Sequence, residues 1–206
     1  MQILAFSDLH RDAAAARHIV EQSRLVDVVV GAGDFATVRR GLQPVIDILS
    51  EVRRPTVLVC GNSEDDAELR QACRNWPSVQ VLHGSGLEID GVPFFGLGGA
   101  VPTTPFGAWS YDLSEQEAEA LLGDCPSRGV LVTHSPPQGI LDTSSSGASL
   151  GSLAVRRAIE EREPRLVVCG HIHESSGRRV RVGRTVVVNA GPRGMMVEIE
   201  SGEIGA

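Results

Sequence analysis

The sequence contains no lysine, and arginine supplies all 19 of its basic residues. Acidic residues number 26, so the chain carries a formal net charge of -7 at pH 7. Proteins that grip long DNA or RNA need a dense basic surface, because their cationic side chains replace the counterions of the phosphates. We therefore do not expect this acidic chain to bind long nucleic acid.

Long apolar runs and paired cysteines are missing as well. No apolar run approaches the ~20 residues that span a bilayer, and charged residues follow the amino-terminal stretch too closely for a signal peptide. The four cysteines have no C-x-x-C spacing and are Cys60, Cys73, Cys125 and Cys169. Cysteines of a cytosolic protein are usually free, and those in apolar runs are usually buried. We expect a cytoplasmic protein without membrane contact, in which these thiols are free and buried.

Short apolar runs alternate with helix-like segments in the first part of the chain. The runs Ile3–Ser7, Val26–Gly31 and Thr56–Cys60 are each followed by a segment that could form a helix. This alternation is typical of βαβ units with parallel strands, and it predicts an α/β fold. With 42% hydrophobic residues and no linker or repeat, residues 1–206 are predicted to form a single domain, one α/β layer structure.

The rest of the chain adds antiparallel elements. Val92–Leu97 should pair with the preceding run across a turn at Asp90-Gly91, a common hairpin sequence. Ser114 and Glu117 fit a capping box and predict the start of a helix. Three closing runs are expected to pair antiparallel with one another: Val180–Val182, Thr185–Asn189 and Met195–Ile199.

Five of the apolar runs end in a carboxylate, an amide or an imidazole. The seven side chains concerned are Asp8, His10, Asp34, Asn62, His134, His171 and His173. In open α/β sheets, ligands bind outside the carboxyl ends of the strands. If these strands share one sheet and one direction, all seven side chains converge on the same edge. An isolated aspartate or asparagine after glycine is usually a turn residue, but five such coincidences favour a metal site.

The residue types indicate what such a site would do. Two carboxylates, four imidazoles and one amide oxygen exceed the set that one ion would take, but they suffice for two ions if one carboxylate bridges. Paired ions about 3.5–4 Å apart clamp the attacking and leaving oxygens of a displacement at phosphorus. A metal ion also lowers the pKa of bound water, so that hydroxide is available at neutral pH without a side-chain nucleophile.

Five short motifs carry a resemblance to a known family. The motifs DLH, GDF, GNSE, THSPP and GHIH, in this order from Asp8 to His173, resemble those of the calcineurin-like metallophosphoesterases. The loop GLGGAVPTTPFG and the segment that ends in VVVNAGP further resemble the Icc-related branch of predicted phosphoesterases. The resemblance implies a β-sandwich flanked by helices, with a dinuclear metal site at the carboxyl ends of the strands.

The resemblance also implies two sets of metal ligands that share Asp34. One ion would be held by Asp8, His10, Asp34 and His173. The other would be held by Asp34, Asn62, His134 and His171. This mixture of carboxylates and imidazoles suits two divalent ions, for which we expect Mn²⁺, with Fe or Zn²⁺ as alternatives.

One motif departs from the commonest family pattern. Many relatives have G-N-H-[DE], and the histidine of that motif is thought to protonate the leaving oxygen. Ser63 occupies its position here, and a serine hydroxyl is a poor proton source near neutral pH. We therefore expect attack by metal-bound hydroxide on a small phosphate ester, a diester rather than a monoester. The predicted catalytic residues are Asp34, Asn62 and Ser63.

A second interpretation is a non-catalytic metal-binding scaffold on the same fold. It predicts that the metal ligands are eroded, whereas all seven are present. The loops at 98–112 and 142–152 are expected to select the substrate. His18 is interpreted as a surface or packing residue and His83 as a core or turn residue. The arginines between 178 and 181 are interpreted as a solvated face.

Overall fold

The computed structural model describes residues 1–200 of the chain. Its strands, in chain order, are β1 (Gln2–Phe6), β2 (Val28–Ala32), β3 (Thr56–Val59), β4 (Val79–Val81), β5 (Ser85–Ile89), β6 (Val92–Leu97), β7 (Val130–Thr133), β8 (Leu166–Cys169), β9 (Arg178–Val182), β10 (Thr185–Asn189) and β11 (Met195–Glu198). Its α-helices are α1 (Ala13–Gln22), α2 (Leu42–Leu49), α3 (Asp66–Cys73), α4 (Glu115–Leu122) and α5 (Leu153–Arg162).

Side-chain caps fix where several helices begin. Asp12 accepts hydrogen bonds from the first turn of α1, and Asp65 and Glu68 form a capping box on α3. The predicted capping box of Ser114 and Glu117 at the start of α4 is confirmed. Each cap satisfies backbone donors that have no partner within the helix, which stabilises the helix by about 1 kcal/mol.

The strands form two sheets, which confirms the β-sandwich implied by the motifs, and the five strands that carry the site are divided between these sheets rather than sharing one. One sheet has the order β11-β1-β2-β3-β4 and the other β5-β6-β7-β8-β10-β9. Valines from both sheets, including Val30, Val57, Val132 and Val168, fill a common core between them. A sheet whose strands are apolar on both faces can pack against helices on one face and against a second sheet on the other.

The closing strands pair differently from the prediction. β9 and β10 are antiparallel, as expected, but β10 also pairs parallel with β8. β11 leaves that sheet and pairs antiparallel with β1. The reason is burial, because Val197 and Ile199 pack into the core between the sheets. Pairing with β1 thus closes one edge of the first sheet.

The predicted hairpin and the predicted state of the cysteines agree with the structure. β5 and β6 form the predicted antiparallel hairpin, and all four cysteines are free and buried. Among residues 1–200, no helix has the length and the apolar character needed to cross a membrane.

Strand direction positions the candidate site. β1, β2 and β3 run parallel to one another, and so do β6, β7 and β8. A hydrogen bond joins the carboxyl ends of the two sheets. Nδ1 of His134, which follows β7, lies 2.8 Å from the carbonyl oxygen of Ala32, the last residue of β2. The loops that follow five strands therefore meet at one end of the sandwich.

Candidate metal centre

The loops at this end have an unusual backbone. Four of the predicted ligands have positive φ angles, namely Asp8 (54°), His10 (44°), Asp34 (55°) and His171 (65°). Such conformations cost about 1–3 kcal/mol for residues other than glycine and concentrate at functional sites. The neighbouring chain is equally constrained, because a Cβ on Gly61 would lie 2.0 Å from Oδ1 of Asp34. Only glycine fits at that position.

One group of donor atoms gathers around His10. Its Nε2 lies 3.1 Å from Nε2 of His173 and 3.6 Å from Oδ2 of Asp34. Nε2 of His173 lies 3.8 Å from Oδ1 of Asp8. Asp8 offers a carboxylate oxygen, and His10 and His173 each offer a ring nitrogen. These three atoms lie within 4.8 Å of one another. These separations match the spread of atoms around a single ion.

A second group gathers around His134. Its Nε2 lies 3.2 Å from Oδ1 of Asn62, 3.2 Å from Nδ1 of His171 and 3.5 Å from Oδ1 of Asp34. Asp34 therefore turns one oxygen toward each group. The structure brings all seven predicted ligands together, and Asp8 also lies near Asp34 and His134, with one donor atom of each within 4.8 Å of the others.

In two of the histidines, His10 and His134, a hydrogen bond at Nδ1 fixes the orientation of the ring and of the lone pair on Nε2. Nδ1 of His134 lies 2.8 Å from the Ala32 carbonyl oxygen, and Nδ1 of His10 lies 3.2 Å from the carbonyl oxygen of Ala36. A carbonyl oxygen can only accept, so Nδ1 of each ring carries the proton and Nε2 is free in the neutral ring. This arrangement is common among histidines that bind metals.

Protonation states fit metal binding too. Burial and the neighbouring His134 lower the pKa of His171 to about 3, so its ring is neutral at physiological pH. Burial alone would raise the pKa of Asp34, but the imidazoles of His134 and His10 outweigh it and lower that pKa. Neutral imidazole and ionised carboxylate are the forms that bind metal ions.

Ser63 faces the shared carboxylate. Its backbone N–H donates to Oδ1 of Asp34 at 2.8 Å, and its Oγ–H donates to Oδ2 at 3.1 Å. Both residues are buried. In this structure the hydroxyl of Ser63 therefore orients Asp34, a contact that the sequence alone does not indicate.

Sequence reasoning gave no role to Glu64, the last residue of the GNSE motif. Its Oε1 accepts from the N–H groups of Gly61 (2.9 Å) and Phe35 (3.3 Å), and its Oε2 accepts from that of Ala36 (2.9 Å). Burial and the nearby Asp34 raise the pKa of Glu64 to about 7, although these backbone donors oppose the rise. Glu64 thus ties the loop after β2 to the loop after β3. The only signal for it in the sequence was an acidic residue two positions after the predicted ligand Asn62.

Asn189 supports the histidine loop after β8. Its Nδ2 donates to the carbonyl oxygens of Gly170 (3.1 Å) and Ile172 (2.9 Å), which flank His171. The asparagine is fully buried at the end of β10. It therefore fixes the backbone that presents His171 and His173.

Replacing Glu64 by glutamine is expected to lower the free energy of unfolding by about 1–3 kcal/mol. Both oxygens of Glu64 accept backbone N–H bonds, and the new amide NH₂ would face at least one of those donors. Urea denaturation of the two proteins measures the difference. Glu88→Gln, on an exposed position of β5, is the control and should change stability by less than about 0.5 kcal/mol. Equal effects of the two substitutions would refute this role.

The sandwich and the two donor groups at its strand ends define a metal-dependent phosphoesterase architecture. The family model of the calcineurin-like phosphoesterase superfamily domain matches residues 1–202. The chain therefore belongs to that superfamily. Family membership and the grouping of the side chains together indicate a dinuclear divalent metal site at these strand ends.

Individual relatives are more distant. A UPF0046 protein of Caenorhabditis elegans is 29% identical over 184 residues, which cover 80% of this chain and 62% of that protein. The chain thus spans less than two thirds of this curated relative. TT1561 of Thermus thermophilus is 22% identical with a TM-score of 0.74, and the match covers 92% of this chain and 88% of that one. A dimetal phosphatase from Danio rerio is 13% identical with a TM-score of 0.60, covering 92% and 86%. These two solved structures show the fold alone.

Proposed function

We propose that this protein is a dinuclear metal-dependent phosphodiesterase that hydrolyses small phosphate esters. The observation that carries the proposal is the position of Asp34, whose two oxygens face two separate groups of nitrogen and oxygen donors at 3.5 and 3.6 Å. The name of the Danio rerio neighbour, a dimetal phosphatase, is in line with this proposal. When bound, two ions would supply hydroxide at neutral pH and neutralise charge on the phosphate.

The shape of the centre favours a small substrate. A cavity of about 470 Å³ opens beside Asp8, His10 and His173, and Ser176 and Pro192 form part of its wall. This volume is in the range of small-molecule sites. The side chains of His10 and His173 are 30% and 61% exposed. A small ester can therefore reach the first donor group directly from solvent.

The buried second group would hold its ion away from bulk water. His134 and Asn62 are almost fully buried, and loop 98–112 lies over Asn62 through the bond from the Tyr111 N–H to the Asn62 carbonyl oxygen (3.0 Å). Fixed dipoles in a site that excludes water stabilise developing charge more strongly than in solution. We propose Mn²⁺ as the ion in both positions, because the mixed carboxylate and imidazole donors suit it, and the cytoplasm as the compartment.

The second candidate function is a metal-binding scaffold without activity. The open cavity beside Asp8, His10 and His173 argues against it, since a scaffold that only binds metal has no need for a space that admits a small ester. The informative experiment is a panel of chromogenic and nucleotide phosphate esters, assayed with manganese, zinc, magnesium and a chelator. Hydrolysis that requires a metal supports the enzyme. Stable metal binding without hydrolysis of any ester would favour the scaffold.

Diesters with activated leaving groups are expected to be cleaved better than alkyl monoesters. Departure of a poor leaving group needs a proton, and the hydroxyl of Ser63 is engaged with Asp34. Ser63→His is expected to improve hydrolysis of esters with poor leaving groups by about 10²-fold, the lower end for general acid catalysis. The rates for bis-p-nitrophenyl phosphate and for alkyl monoesters in both proteins measure this.

Ser63→Ala is the matched variant, because it removes the hydroxyl without adding a proton donor. It should leave the preference for activated diesters in place. A wild-type enzyme that favours alkyl monoesters, together with no effect of Ser63→His, would show that another group delivers the proton.

A further inference from the structure

Aromatic residues are scarce in this chain, and an exposed pair of them stands out. The sequence has five phenylalanines, two tryptophans and one tyrosine. Five of these eight residues are buried, namely Phe6, Phe35, Phe94, Phe95 and Trp76. Phe106, in contrast, is 49% exposed, and its ring stacks on that of Trp109 with centroids 5.4 Å apart and planes 13° from parallel. This pair lies outside the three buried hydrophobic clusters of the described chain.

A network of hydrogen bonds holds the segment that carries the pair. The carboxylate of Asp112 accepts from the N–H and the Oγ1–H of Thr104, each at 2.8 Å, and from the Oγ–H of Ser110 at 2.5 Å. Thr104 and Ser110 bracket the aromatic pair in sequence. The network therefore closes the segment into a compact loop and fixes the two rings before any substrate arrives, which reduces the entropy lost on binding.

The same loop contacts the candidate metal centre. Nδ2 of Asn62 donates to Oγ of Ser110 at 3.0 Å, and Oδ1 of Asn62 lies in the second donor group. Trp109 immediately precedes Ser110. The segment that carries the aromatic pair is therefore joined to the centre at Asn62, whereas the cavity of about 470 Å³ opens beside His10 and His173.

A phosphodiester has two ester arms, and the two sides of the centre offer different surroundings for them. We propose that Phe106 and Trp109 form a stacking platform for a planar aromatic arm of the substrate, such as a nucleobase or an aryl group. Every base or aryl ring has a π face, and stacking on an aromatic side chain tolerates different rings. This inference rests on the proposed phosphodiesterase function and names the class of diester that the site selects.

The kinetic test uses two diesters with the same leaving group, p-nitrophenyl phenyl phosphate and p-nitrophenyl ethyl phosphate. In both, the p-nitrophenyl leaving arm would occupy the open cavity, and the arm retained on the phosphate would meet the platform. The manganese-loaded Phe106→Ala and Trp109→Ala variants are expected to lose about 10-fold in kcat/KM for the phenyl diester, mainly through KM, and at most about 2-fold for the ethyl diester. Leu25→Ala is the control, because Leu25 is a 69% exposed apolar residue on another part of the surface. It should change neither value. Equal losses for both diesters, or none, would overturn the platform.

A binding measurement separates this inference from the proposed function. Trp76 is buried, so Trp109 is the tryptophan that a ligand can reach. Adenosine monophosphate should quench tryptophan fluorescence in the wild type and not in Trp109→Phe, while ribose 5-phosphate should quench neither. Absence of hydrolysis of both diesters by the wild type would refute the phosphodiesterase. In that case, stronger quenching by adenosine monophosphate than by ribose 5-phosphate would still support the platform, and equal quenching by the two would refute it.

Discussion

Replacing Asp34 by asparagine is expected to lower kcat/KM for phosphodiesters by at least ~10²-fold, the usual effect of removing a key electrostatic group. Asp34 turns one oxygen toward each donor group, so its negative charge would offset the repulsion between two dications. The amide keeps the shape of the side chain but removes that charge. Its NH₂ would also face either the N–H or the hydroxyl of Ser63, both of which now donate to Asp34.

Steady-state kinetics with bis-p-nitrophenyl phosphate and metal analysis of the same samples measure this effect. The control is Asp90→Asn in the turn between β5 and β6, where φ is 48° and asparagine tolerates the left-handed conformation. It should retain full activity. If Asp34→Asn kept full activity and its metals, Asp34 would be only a turn residue.

Removing the metal ions is expected to abolish hydrolysis altogether. The hydroxyl of Ser63 at the centre is poorly placed to replace hydroxide as the nucleophile, because it is buried and the carboxylate that it donates to, Asp34, has a lowered pKa and accepts a proton weakly. Dialysis against a chelator should reduce the rate to background, and manganese should restore it. Folding should persist, because two hydrophobic clusters fill the layers beside the sheets and a third fills the space between them.

Far-ultraviolet circular dichroism of the chelated protein is the control for unfolding. A folded, metal-free protein without activity is the expected state. Undiminished hydrolysis in the chelated protein, with metal content verified as negligible, would contradict a metal-dependent reaction.

The positions of the site residues were the most predictable part of this protein. Each of the residues Asp8, Asp34 and His134 follows a short run of apolar residues, and the carboxyl ends of such strands are where α/β proteins bind ligands. Local sequence is enough to identify these ends, because burial on both faces imposes a continuous apolar run. The motifs then implied which side chains would share an ion, and the structure places those side chains together.

The division of the strands between two sheets could not be derived from local pattern. β3 and β7 have the same apolar character, yet they lie in different sheets. The choice of partner depends on packing between residues far apart in the chain, such as Val57 and Val132 in the core between the sheets. β11 shows the same limit, since its sequence does not reveal that it pairs with β1 rather than with β10.

The directions of the side chains in the site loops could not be predicted from the sequence either. Ser63 stands at the position of a family histidine, and only the structure shows that its hydroxyl points at Asp34. Glu64 and Asn189 bind backbone groups of the site loops. Such contacts depend on the exact path of two loops at once, which no periodicity in the sequence encodes.

The metal content of reconstituted protein tests the central claim most directly, because the claim is that two donor groups sharing Asp34 each hold an ion. Elemental analysis after loading with manganese should find about two ions per chain in the wild type. The double variant with His10→Ala and His173→Ala leaves Asn62, His134 and His171 intact and should retain about one. Wild-type protein without bound metal, or a double variant that still holds two ions, would contradict the account.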